Sequence, residues 1–127
     1  MKETNAIDWF AIPTLDFERA VLFYEKILNE KLTITTLEDM KFAVFPYDRE
    51  GRKVGGALVQ NKHVQPSGTG PVVYLHGGDD LLTVLSMVEQ AGGKIVMQKT
   101  QMGDRQNGFI AQFIDTEGNR IGVHSAN

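Results

Sequence analysis

The stretch WFAIPTLDFERAVLFYEKIL, Trp9–Leu28, decides how the rest of the chain is read. It begins inside a strand-like run, AIDWFAI over 6–12, closed by Pro13, which has no N–H to continue a central ladder. Asp16 stands where a helix N-cap belongs. Behind it Phe17, Ala20, Val21, Tyr24, Ile27 and Leu28 recur at the three- and four-residue spacing of one helix face. Glu18, Arg19, Glu25 and Lys26 fall largely on the other side. The stretch therefore reads as strand, stop, cap and amphipathic helix.

Three strands follow: KLTITTLE over 31–38, MKFAVFPY over 40–47 and, past the polar turn DREGRK, VGGALVQ over 54–60. In the second of these Phe42, Val44 and Pro46 share one face, and Ala43, Phe45 and Tyr47 the other. After the hinge QPSGTGP, 65–71, the same order returns. VVYLHG is a strand of β-branched and aromatic character, and DDLLTVLSMVEQA is a helix capped by Asp79 or Asp80 and ended by Gly92 and Gly93. KIVMQKT, the turn QMGDRQNG, GFIAQFI, the turn DTEGN and RIGVHS complete it. The chain is thus expected to be α+β: two βαβββ modules, about 1–64 and 72–127 with a linker at 65–71, forming an open, barrel-like cup with a concave cleft.

Bulk properties exclude several functions. Net charge is −3 with no run of one sign; the nearest basic group, Arg49, Arg52 and Lys53, is interleaved with Asp48 and Glu50 and reads as a solvated turn. No nucleic-acid partner is expected. No apolar run is long enough for a transmembrane helix and the first residues have no signal-peptide core, so no membrane association is expected. The absence of cysteine rules out disulfides, thiolate nucleophiles and zinc–sulfur sites, and fits a cytoplasmic location.

WFAIPTLDFERAVLFYEKIL, VYLHGGDDL, VEQAGGKI and GFIAQFIDTEGNRIGVHS, taken in order, resemble the vicinal oxygen chelate superfamily of glyoxalases, bleomycin-resistance proteins and extradiol dioxygenases. They are most similar to its branch of predicted lyases related to lactoylglutathione lyase. The resemblance implies a homodimer, sometimes with exchanged modules. It also implies four metal-ligand positions, one on each of four strands lining the cleft. Here those positions carry Trp9 (with Ala11 next on the same face), Ala57 or Leu58, Val73 or Val72, and Gly122. None offers a lone pair to a hard cation, so no metal and no cofactor are expected.

What remains suits a binding protein. Trp9 and Tyr74 are candidate stacking residues, with Ala11 and Gly122 lining the cleft and Gly122 leaving room for a bulky ligand. Arg105, in a loop with Lys99 and Asp104 flanked by Gly103 and Gly108, is placed to meet an anionic group. Gln60 and Gln112 lie on strands and are weaker hydrogen-bonding candidates, while Asp115 and Glu117 are read as turn residues. The function expected is metal-independent binding of an apolar or aromatic small molecule. The alternative is a glyoxalase- or lyase-like enzyme with a relocated acid–base site at His76 and His124, the latter on the same strand face as Gly122. Enediolate chemistry of that kind calls for a Lewis acid, which favours the binding reading.

Overall fold

The computed structural model describes residues 7–48, 50 and 54–127. Arg49, Arg52 and Lys53 of the expected solvated turn, and the first residue of the AIDWFAI run, lie outside the described residues. The first module is β1 (Trp9–Pro13), α1 (Phe17–Leu28), β2 (Thr33–Leu37), β3 (Met40–Val44) and β4 (Gly55–Gln60). The second is β5 (Val73–His76), α2 (Leu82–Val88), β6 (Lys94–Gln101) and, after a 3₁₀ turn at Arg105–Asn107, β7 (Phe109–Ile114) and β8 (Arg120–Ser125). Each module makes one four-stranded sheet, ordered β1-β4-β3-β2 and β5-β8-β7-β6. In each the outer strand β1 or β5 runs parallel to its neighbour and the remaining pairs are antiparallel. The expected α+β duplication is present, with no closed barrel.

Pro13 sits in register with Val59 on an edge strand, where its missing N–H costs no ladder bond. Asp16 is the N-cap of α1, its side chain accepting from the Arg19 N–H at 3.1 Å. Asn29 ends the helix in the left-handed region (φ 52°), donating its N–H to the Glu25 carbonyl. The second helix differs from expectation at both ends. It runs only from Leu82 to Val88, and Leu81 holds the cap position without a side-chain cap bond. The free N–H groups are met separately: Asp80 accepts from Leu82 N–H at 3.0 Å, and Ser125, brought over from β8, accepts from Leu81 N–H at 2.9 Å.

The apolar pattern of α1 is wider than one sheet requires, because α1 serves both. The Tyr24 ring meets Phe45 of the first module edge-on at 5.6 Å between centroids, while Phe23 meets Phe113 of the second at 5.9 Å. Ile12, Ala43 and Leu58 from one sheet and Leu75, Ala111, Phe113, Ile121 and Val123 from the other join both helices in a single core. Among the described residues no strand of one sheet pairs with a strand of the other, so the modules are joined through the helix layer.

A polar clamp completes that joint. The turn after β7 buries Asp115, Glu117 and Asn119 against the start of α1. One Glu117 oxygen accepts from the N–H groups of Leu15 (2.7 Å) and Asp16 (2.6 Å); the other accepts from Arg19 Nε and Thr116 Oγ1, both at 2.8 Å. Asp115 accepts from the Tyr24 hydroxyl at 2.6 Å, and Asn119 donates to the Pro13 carbonyl at 2.8 Å. The acidic DTEGN turn is thus more than turn geometry: its side chains bind the second module to the first.

Candidate functional site

Once the helices have taken one face of each sheet, the chemistry left for a ligand lies on the opposite faces. On the first sheet that face presents Trp9, Ala11, Phe42, Val44, Ala57 and Val59, with no charged side chain among them. Trp9 is in register with Gly55, and its ring covers that glycine: a Cβ there would come within 2.9 Å of both the Trp9 and Tyr47 rings. Trp9 and Tyr47 meet edge-on at 5.9 Å, and Trp9 keeps 45% of its surface exposed.

The second sheet repeats the arrangement. Tyr74 is in register with Gly122, and a Cβ on that glycine would lie only 2.3 Å from the Tyr74 ring. Gly122 therefore does not widen a cleft, as its lack of a side chain led us to expect; the Tyr74 ring takes the space, with 42% of its surface exposed. The two sheets thus carry the same device, an aromatic ring on the edge strand laid over a glycine of the adjacent parallel strand. Beside it, Arg120 donates from Nη1 to the Gln112 carbonyl oxygen at 3.0 Å, and Gln112 donates from Nε2 to the Tyr74 hydroxyl at 2.6 Å. Arg120 is itself held by the Gly68 carbonyl of the linker.

The same register settles which of two alternatives faces outward. Tyr74 and His76 lie on the Gly122 face, whereas Val73, the first residue of β5, packs against the core. On β4 Leu58 is core and Ala57 lies opposite the helices. Gln60 pairs with Lys41 on the helix side, away from the site.

His76 and His124 are direct register partners on β5 and β8. One ring nitrogen of each is already engaged. His76 Nδ1 accepts from the Gly78 N–H at 2.9 Å, so in the neutral ring its proton is on Nε2. His124 Nε2 meets the Asn107 carbonyl at 2.7 Å and must donate, leaving Nδ1 as the one free lone pair of the two rings. Among the described residues no three His, Asp or Glu side chains converge. The donors of these faces, phenols, threonine hydroxyls and one imidazole lone pair with no carboxylate among them, do not fit a chelated cation. The His124 bond instead fastens the 3₁₀ turn that carries Arg105, an exposed side chain on a turn capped by Asp104.

The expected site residues fall into two groups: Trp9 and Ala11 on the first sheet, and Tyr74, Gly122, His76, His124 and Arg105 on or beside the second. Between the modules, along the outer strands β1 and β5, runs an open groove of about 1400 Å³. Its floor includes Phe10, Phe45, Leu75, Val84 and Met87, and Tyr74 and His76 stand at its margin. Sequence reading missed Gly55 and Tyr47 as the setting of Trp9, and Arg120 as the anchor of Gln112. The only signal was the repeated order of strands, which places Gly55 opposite Trp9 as it places Gly122 opposite Tyr74.

Two βαβββ units, each a four-stranded sheet with a helix on one face, define a class of paired-module α+β proteins. The chain belongs to the Glyoxalase/Bleomycin resistance protein/Dioxygenase superfamily, whose sequence pattern matches residues 6–123. Glyoxalase I from Zea mays is 26% identical at a TM-score of 0.70 over 93% of this chain, which spans 45% of the maize chain. TnmS3, an antibiotic binding protein from Streptomyces sp. CB03234, is 19% identical at a TM-score of 0.67, covering 97% of both chains. The hypothetical protein SA1046 from S. aureus is 18% identical at 0.65, covering 98% of this chain and 96% of its own. The latter two show the fold alone. No curated protein sequence matches the chain.

Proposed function

We propose that this protein binds a bulky apolar or aromatic small molecule without a metal, on a surface that a second copy of the chain completes. The observation that carries the reading is the matched pair of half-exposed aromatics, Trp9 over Gly55 and Tyr74 over Gly122, on faces that offer stacking area but no cation site. TnmS3, an antibiotic binding protein of the same fold, supports it by analogy. Among the described residues no strand pairs with the outer edge of β1 or of β5, and the two edges flank a largely apolar groove. A two-fold contact would lay β1 of one copy along β5 of the other, joining each Trp9 face to the partner's Tyr74 face and covering two exposed edges at once. Arg105 lies at the rim of the composite surface. A cysteine-free chain suits the cytoplasm, where we place it.

Protein stripped of metal by a chelator and titrated calorimetrically with a panel of planar polycyclic probes tests the reading. Saturable binding of at least one probe is expected, unchanged by added nickel, zinc, manganese or iron(II), at a solution mass twice that of the 14.1 kDa chain. Binding that appears only with metal, or no binding by any probe, overturns the proposal; a monomeric mass overturns its second-copy component.

A further inference from the structure

We infer that Gln112 and Arg120 are positioning residues that present the Tyr74 hydroxyl as a hydrogen-bond donor, and that the ligand of this surface is an apolar ring compound carrying a carbonyl-type oxygen. The inference rests on the binding function proposed above and assigns the chemical class of its ligand.

It follows from the direction of three hydrogen bonds. A guanidinium has donors and no acceptor, so the Gln112 atom facing Arg120 at 3.0 Å must be its carbonyl oxygen. That fixes the amide, and the atom facing Tyr74 at 2.6 Å is therefore Nε2, which can only donate. The Tyr74 oxygen is thereby an acceptor toward Gln112, and its own proton is left pointing outward, with no acceptor among the described residues. Arg120 cannot swing away to release the amide, because its Nε is held by the Gly68 carbonyl at 3.1 Å. Tyr74 is equally constrained, its ring lying across Gly122.

Beside this directed donor β7 offers apolar side chains. Ile110 and Ile114 flank Gln112 on the same face of β7, in register with His124 and Arg120 of β8. A ring system resting on these side chains and reaching the Tyr74 hydroxyl with an oxygen acceptor satisfies that donor. A hydrocarbon of the same outline leaves the donor without a partner and forfeits that bond.

The test is a pair of probes of equal charge and closely similar outline, anthraquinone-2-sulfonate and anthracene-2-sulfonate, titrated by calorimetry into the full-length protein. The wild type is expected to prefer the quinone roughly tenfold, the effect of one neutral hydrogen bond. Tyr74→Phe should remove the preference while leaving anthracene-2-sulfonate within about twofold of its wild-type affinity. Gln112→Glu is the decisive variant. It keeps a partner for Arg120 but turns the atom facing Tyr74 into an acceptor, which draws the hydroxyl proton inward. The preference should vanish there too, with melting temperature and circular dichroism confirming an intact fold. Equal binding of the two probes by the wild type, or a preference that persists in Gln112→Glu, overturns the inference and leaves the binding function standing. If neither probe binds while other polycyclic compounds do, the ligand class assigned here is wrong. If no planar probe binds, both fall.

Discussion

At Gly122 the question of a lost or altered chemical site comes down to a contact. The residue is a glycine because the Tyr74 ring rests on it, and a Cβ would sit 2.3 Å from that ring. Gly122→Ala is expected to push the ring off the strand and cost about 1–2 kcal/mol, the usual range for modest overpacking. Combining it with Tyr74→Ala should recover much of that loss in a double-mutant cycle read by thermal or denaturant unfolding. Alternation along RIGVHS is enough to place Gly122 and His124 on one face and Ile121 and Val123 on the other, and the structure has them so. What covers Gly122 was not legible, because the covering residue lies 48 positions away on another strand.

Among the elements, α1 was the most readable and α2 the least. The difference lies in where the capping atoms come from. Asp16 caps α1 from within its own stretch of sequence, so the signal is local. The Leu81 N–H at the head of α2 is met by Ser125 from β8, buried and itself donating to the Asn127 carbonyl at 2.7 Å. Local sequence suggested Asp79 or Asp80, and only Asp80 takes part, through Leu82. Ser125→Ala should therefore leave the Leu81 N–H buried without a partner and cost about 1–2 kcal/mol, measured by chemical denaturation. The isosteric but weakly accepting Ser125→Cys should recover little of it.

Over the whole molecule the modules are held by the shared helix layer and by Glu117. Burial alone would raise the Glu117 carboxyl. The Arg19 guanidinium, the Asp16 N–H, the Thr116 hydroxyl and the Leu15 N–H outweigh it and hold the group below the ordinary glutamate range. A carboxyl whose folded pKa is depressed stabilises the fold fully above its unfolded value and loses that contribution as pH falls through the folded one. Stability should accordingly decline on the acid side of the ordinary glutamate range. Glu117→Gln should lower the neutral-pH stability by about 2–3 kcal/mol, through the loss of charge-assisted bonds to partly exposed groups, and flatten the acid limb of a pH–unfolding curve. At the same scale, Met87→Lys places a charge on the floor of the inter-module groove and should shift the expected dimer toward monomer in sedimentation experiments, with a melting temperature that no longer rises with protein concentration. The order of elements, the apolar face of α1 and the alternation along β8 were determined by the sequence itself, since each depends on local periodicity or on the identity of a side chain. The sharing of α1 by two sheets, the burial of Asp115 and Glu117 as a clamp, the ring over Gly122 and the Arg120–Gln112–Tyr74 chain were decided only by tertiary structure. Each depends on contacts between residues far apart in the chain, and nothing in the local pattern of either partner names the other.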